Sequence, residues 1–155
     1  MAIYFYRANE IPYGCFSNFA PHGFELDGLW WPTSEHYFQA QKFLGTRLFE
    51  KIRNAKGPMG AAELGRTRKY PMRADWEEVK DEVMKRAVRT KFRAHSDIRA
   101  ILLATGTELI VEKTSRDYYW GCGTDGTGKN RLGLILMEVR EELNKETGNR
   151  EASDD

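Results

Sequence analysis

Only two cysteines occur in the 155 residues, Cys15 and Cys122. They are too few for a disulfide framework and too far apart for a CxxC unit. They read as reduced thiols, with a disulfide as the lesser alternative, and point to a cytoplasmic protein. No apolar run approaches the roughly 18 residues that a membrane span requires, and no basic-then-apolar leader opens the chain, so the expectation is a soluble protein with no membrane partner. Histidine is also scarce. His22, His36 and His95 show no i,i+4 pairing, which argues against a metal site, and Ser34-Glu35-His36 cannot form a hydrolytic triad because neighbours on a helix point in different directions. An excess of one charge is missing too. With 24 Lys+Arg against 23 Asp+Glu the net charge is +1. Setting aside Glu151, Asp154 and Asp155 leaves a mildly basic body, too weakly so to argue for a nucleic-acid surface by itself.

At this length one domain is expected, over residues 1–147, and the small, polar, acidic residues 148–155 read as a disordered tail. Ile3–Tyr6 is a short β-type run. Asp27-Gly28, between Phe24 and Trp30, reads as a tight hairpin turn, and Gly14–Pro21 reads as an irregular loop. Helices dominate afterwards: one from Ser34 to about Leu44, one around Leu48–Asn54, and one from Pro58 to Leu64-Gly65. Asp75 and Glu78 resemble a capping box opening a long helix to Phe92, with Trp76, Val79, Val83, Ala87 and Val88 as its apolar stripe. Ser96 is placed to cap a helix through Leu103. Leu109–Val111 is a strand candidate, and Leu132, Ile135, Leu136, Val139 and Leu143 form the stripe of a last helix.

The chemistry concentrates in Trp31-Pro-Thr-Ser-Glu-His-Tyr-Phe-Gln-Ala-Gln-Lys-Phe43. Pro32, Thr33 and Ser34 are a helix start, with a hydroxyl for the first free N–H groups and Glu35 in the first turn, where the helix dipole favours it. At 100° per residue Glu35, Gln39 and Lys42 share a narrow sector flanked by Phe38, while Tyr37, Ala40 and Leu44 form an opposite, apolar sector expected to be the buried side. Spacing alone would fit a solvated face. The density of aromatic residues around the trio (Trp30, Trp31, Tyr37, Phe38, Phe43) is unusual for such a face and suits a flat ring as ligand.

A glycine-rich loop, Asp117 to Gly133, precedes the last helix, and its backbone N–H groups could converge on a phosphate. Gly121-x-Gly123-x-x-Gly126 has the spacing of a dinucleotide fingerprint, but no βαβ unit surrounds it. Gly123-x-x-x-x-Gly128-Lys129 begins like a phosphate loop, yet Asn130 stands where a magnesium-ligating hydroxyl is needed. Neither nucleotide motif is supported. A flexible turn is the plain alternative, and Asp117, Trp120, Asp125 and Asn130 within the loop favour a binding role over it.

Taken in order, Phe16-Ser-Asn-Phe19, the Trp31–Phe43 segment, Leu64-Gly-Arg66, Asp75-Trp76 and Trp120-Gly-x-Gly-x-Asp-Gly-x-Gly-x-Asn130-x-Leu-Gly133 resemble the NADAR (YbiA-like) family from about Tyr4 to Leu143. The resemblance implies a mainly α-helical α+β single domain with small β elements. It also implies an N-glycosidase that hydrolyses the bond between ribose C1 and a base nitrogen and requires no cofactor or metal. Two substrate classes follow from it: ribosylamino-pyrimidine phosphates of riboflavin synthesis, or ADP-ribose joined to guanine in DNA or RNA. Carried over by motif position, Glu35 is the acid/base carboxylate and Lys42 the amine that attacks C1 to form a Schiff base. Trp76 is a wall stacking the base, Asp117, Trp120, Asp125 and Asn130 hold ribose or phosphate, and Asn18, Gln39 and Arg66 share the pocket, Arg66 as a fork for phosphate. Lys80 and Lys129 are rival amines in other motif segments; Lys42 leads because Glu35 and Gln39 share its face. A non-catalytic sensor of ADP-ribose or a related nucleotide is the alternative, disfavoured by the presence of both Glu35 and Lys42.

Overall fold

The computed structural model describes the backbone of residues 1–154 and the side chains of residues 1–148. The acidic tail expected from residue 148 falls almost wholly outside the described side chains.

Strand β1 (Ala2–Phe5) pairs in parallel with β4 (Leu109–Glu112), and β2 (Phe24–Leu26) pairs antiparallel with β3 (Leu29–Trp31). The turn of that hairpin has Asp27 at φ 56° and Gly28 at φ 77°, the left-handed pair that the Asp-Gly signal calls for. The segment read as an irregular loop carries one 3₁₀ turn over Tyr13–Phe16.

Among the described residues six helices accompany these strands: α1 (Ser34–Gln41), α2 (Arg47–Arg53), α3 (Pro58–Gly65), α4 (Trp76–Ala94), α5 (Ser96–Ala104) and α6 (Arg131–Asp154). Thr33 caps α1 by accepting from His36 N, and Thr46 caps α2 by accepting from Leu48 N. Pro58 opens α3 as expected, with Gly57 at the N-cap. Two expected caps differ. Asp75 stands at the N-cap of α4 but makes no capping bond, because its carboxylate is taken by Arg73 at 2.6 and 3.0 Å. Ser96 is the first residue of α5, not its cap, and His95 occupies the cap position.

Helix α1 is the structural centre, packed against α2, α3 and α4. All six of its side chains from His36 to Gln41 are buried, and Glu35 is its one partly exposed residue. Tyr37 and Ala40 join one apolar cluster with Phe24, Trp31, Phe43, Leu48 and Ile52. Phe38, on the other side, joins a second, with Trp76, Met84, Phe92 and the stripe of α6. The expectation that Leu44 belongs to the buried sector is wrong: the helix ends at Gln41 and Leu44 is exposed in the turn that leads to Gly45 at φ 86°. Burying α1 obliges its polar groups to find partners. His36 does so within the fold, against Thr33 Oγ1 at 2.7 Å and Ala55 O at 3.0 Å, which makes it a structural residue.

Candidate active site

A cavity of about 500 Å³ opens beside α1, within the range typical of small-molecule sites. From α1 it receives Glu35, Phe38, Gln39 and Lys42; Asn18 and Phe19 come from the loop after the 3₁₀ turn, and Arg66 from the end of α3. Tyr6 and Glu112 enter at the carboxyl ends of the parallel pair β1 and β4, the end of a parallel sheet where ligands usually sit. Asp117 and Trp120 close the rim.

Local structure explains each placement. Asn18 is tied to the start of α1, its Oδ1 accepting from Ser34 Oγ at 2.8 Å and its carbonyl from Glu35 N at 3.2 Å. Gln39 Nε2 donates to Glu35 Oε1 at 2.8 Å across one helical turn. Gln39 Oε1 is buried and has no partner among the described residues. Helix α3 approaches so closely that a Cβ on Gly65 would lie 2.0 Å from that oxygen, so a larger residue there would displace the Gln39 side chain. Lys42 caps α1 in helical conformation, with Nζ 5.6 Å from the centre of the Phe38 ring. Among the described residues no carboxylate lies within 4 Å of Lys42 Nζ, which leaves a gap between Lys42 and Glu35 rather than a closed ion pair.

Burial sets the electrostatics. It pushes the Glu35 carboxyl up against the opposing pull of the Gln39 bond and the nearby Lys42 and Arg66 charges. It pushes the Lys42 amine down, with Arg66 adding to that shift and Glu35 opposing it. Each of the pair thus moves toward its neutral form. Glu112 is raised too, to about 8, by burial first and then by the Asp117 and Glu35 charges.

Of the residues expected at the site, Asn18, Glu35, Gln39, Lys42, Arg66, Asp117 and Trp120 come together in this cavity. Three do not. Trp76 is only 5% exposed and lies behind Phe38, ring centres 5.1 Å apart, so it supports the cavity wall without facing the cavity. Asp125 sits on the exposed outer loop, where its Oδ1 accepts from Thr127 N at 3.1 Å and Thr127 Oγ1 at 2.7 Å. Asn130, at φ 52°, clamps the edge of β4: its Oδ1 accepts from Glu112 N at 3.0 Å and its Nδ2 donates to Ile110 O at 2.9 Å. The phosphate cradle is corrected as well. The N–H groups of Cys122, Gly128, Lys129, Asn130 and Arg131 all donate to carbonyls of the loop or of β4, so the loop spends its donors on its own shape. Its contribution is to present Asp117 and Trp120, with Asp117 Oδ1 accepting from Tyr119 N and Trp120 N at 3.0 and 2.8 Å.

The aromatic surroundings are likewise redistributed. Trp31, Tyr37 and Phe43 pack in the core, Trp30 faces outward, and the walls of the cavity are Phe19, Phe38 and Trp120, the last two in edge contact at 5.2 Å. The rival amines stand elsewhere: Lys80 pairs with Glu77 at 2.6 Å, and Lys129 lies 5.6 Å from the Tyr119 ring centre. Neither lines the cavity. Tyr6, Glu112, Thr114 and Arg116 are among the cavity residues that sequence reasoning missed. An acidic residue closing the apolar strand Leu109-Ile-Val was the available signal for Glu112.

Because Trp76 is a core residue, Trp76→Ala should lower stability by about 3–5 kcal/mol, as for other large-to-small aromatic changes. Ligand affinity of the folded variant should stay close to wild type. Denaturant unfolding alongside ligand titration separates the two, and a loss of affinity in Trp76→Ala that Trp76→Phe restores, without a matching change in stability, would return Trp76 to the binding site.

A family model described as NADAR domain matches residues 4–144. The N-glycosidase YbiA of Escherichia coli (strain K12) is 54% identical over 141 residues, covering 91% of this chain and 88% of that one. Riboflavin biosynthesis protein PYRR, chloroplastic, of Zea mays is 40% identical over 156 residues, which are 91% of this chain but 25% of that protein. An NMR structure of the E. coli protein YbiA superposes with a TM-score of 0.88 at 52% identity, covering 95% of this chain and 87% of that chain. Among the described residues no helix is long and apolar enough to cross a membrane, and no three acidic, histidine or cysteine side chains converge as metal ligands.

Proposed function

Because this chain belongs to the NADAR domain family and is an N-glycosidase, we propose that the cavity beside α1 is where ribose C1 is held between Lys42 and Glu35. The observation that carries this reading is the pair itself. A carboxyl pushed up and an amine pushed down face one cavity without closing on each other, so a sugar carbon fits in the gap and burial eases the amine toward its nucleophilic form. Lys42 Nζ attacks C1, the bond from C1 to the base nitrogen breaks, and the ring-opened sugar remains on the enzyme as a protonated aldimine that water then hydrolyses. Glu35 takes and returns the protons of Lys42 Nζ and the ribose ring oxygen as the adduct forms and resolves.

Binding follows from the remaining groups. Gln39 Oε1, a buried acceptor without a partner among the described residues, is placed to accept from a ribose hydroxyl. Trp120, Phe38 and Phe19 offer flat walls for the base, and Arg66 a fork for its phosphate. Asn18 and Asp117 complete the rim. The substrate supported best is a ribosylamino-pyrimidine phosphate, since a related protein is named for riboflavin biosynthesis. A second substrate, ADP-ribose on guanine in DNA or RNA, is favoured by one observation: two arginines, Arg66 and Arg116, border the cavity where a pyrophosphate would need two forks. The sensor alternative has no such support, as the relatives are named as enzymes. A cytoplasmic location fits the two free thiols, Cys15 and Cys122.

Incubation with the pyrimidine riboside phosphate and with DNA carrying ADP-ribosylated guanine, followed by identification of the released sugar, separates these substrates. Release of ribose 5-phosphate at least tenfold faster than ADP-ribose is expected, and the reverse ratio would move the assignment to the nucleic-acid modification.

A further inference from the structure

We propose that Glu112 is the acid that protonates the departing base, so that Glu35 and Glu112 divide the proton chemistry of the cavity between them. The inference rests on the reading of this cavity as the place where the C1–N bond breaks. Three carboxylates line the cavity, and their partners distinguish them. Asp117 Oδ1 is committed to two backbone N–H groups. Glu35 Oε1 accepts from Gln39 Nε2, a bond that favours the ionised form and opposes the upward push of burial on that carboxyl. The Glu112 carboxyl accepts from nothing among the described residues, although its backbone is fixed on both sides, by pairing with Phe5 in β1 and by the Asn130 clamp on its N–H. A rigid mount therefore carries an unpartnered carboxyl into the cavity. The titratable groups that share the cavity with it are Glu35 and Lys42 from α1, Arg66 after α3, Arg116 and Asp117 from the loop, and Tyr6 after β1, of which Asp117 and Glu35 act on it as charges. Burial and the two neighbouring acids keep Glu112 protonated near neutrality, with a value of about 8. Two carboxyls in one cavity whose surroundings treat them differently are the usual arrangement for splitting acid from base.

Lys42 Nζ forms a bond to C1 while the C1–N bond breaks, and its electron pair goes to the base nitrogen, which takes the proton from Glu112. Glu35 carries the proton from Lys42 Nζ to the ribose ring oxygen as the ring opens. Water then adds to C1 and supplies the carbonyl oxygen; its two hydrogens leave on the released Lys42 ammonium, which gives one back to Glu112. The sum is hydrolysis, with neither oxidant nor second substrate.

An acid of this kind is needed only by a leaving group that cannot depart as an anion. Cleavage of the pyrimidine riboside phosphate and of 4-nitrophenyl riboside 5-phosphate, whose phenolate leaves unaided, is therefore compared in wild type and Glu112→Gln. The variant should lose at least about 100-fold in kcat on the riboside of the base and less than about tenfold on the nitrophenyl substrate, the former being the usual scale for a proton donor. Glu35→Gln should lose on both. In wild type, activity on the base substrate should fall as pH rises through about 8, while the nitrophenyl substrate shows no such alkaline limb. This wild-type profile tests the inference even where the variant does not fold. Equal losses on the two substrates, unchanged activity on the base substrate, or the same alkaline limb with both would overturn it. If wild type cleaves neither substrate, the reading of the cavity falls and this assignment with it.

Discussion

Glu35→Gln should cut turnover by at least about 10²-fold while leaving the melting curve close to wild type, since general acid/base groups contribute on that scale and the change is nearly isosteric. The fold has little reason to object. Glu35 stands in the first turn of α1, where its backbone N–H is held by Asn18 O, and its carboxyl contacts Gln39 rather than the apolar clusters. An amide there can still meet Gln39 Nε2 through its own carbonyl. What it cannot do is exchange a proton with Lys42 or the ribose ring oxygen. The loss should appear in kcat more than in KM, because the proton moves only during reaction. Wild-type turnover by a folded Glu35→Gln variant would remove Glu35 from the chemistry.

Lys42→Ala and Lys42→Arg should both lose activity by on the order of 10³-fold or more, since the route through a covalent adduct disappears with its nucleophile. The arginine variant is the sharper of the two. It keeps the positive charge beside Glu35 and can still lie over the Phe38 ring, but a guanidinium retains its proton and cannot attack C1. A merely electrostatic role for Lys42 predicts an active Lys42→Arg and an inactive Lys42→Ala. A role limited to substrate binding predicts that KM rises in both while kcat survives.

How much of this was legible in the chain depends on whether the signal was local. The hairpin at Asp27-Gly28, the Thr33 cap and the Pro58 helix start were readable because each rests on a few adjacent residues whose backbone needs are known. The cluster of Glu35, Gln39 and Lys42 was readable for the same reason, through helical spacing. Its surroundings were not. Whether α1 faced solvent depended on α2, α3 and α4 folding over it, and helical spacing carries no record of those contacts. Trp76 and Asn130 occur within words that point to a site, yet one fills the core behind Phe38 and the other clamps β4. Both therefore shape the cavity from behind, and a motif does not distinguish a residue that lines a cavity from one that holds the lining. Glu112 illustrates the opposite case: it follows the strand candidate Leu109–Val111 and belongs to no motif word, and only the parallel pairing of β4 with β1 places it at the cavity.

Trapping the covalent adduct decides between attack by Lys42 and attack by water. Borohydride added during turnover reduces an aldimine to an amine that cannot be hydrolysed, leaving the sugar on the enzyme for peptide mass spectrometry. The adduct should require substrate, map to the peptide containing Lys42 and be absent from Lys42→Ala. An adduct on Lys80 or Lys129, or full turnover by Lys42→Ala with no adduct formed, would contradict the account and leave water activated by Glu35 as the nucleophile in the second case.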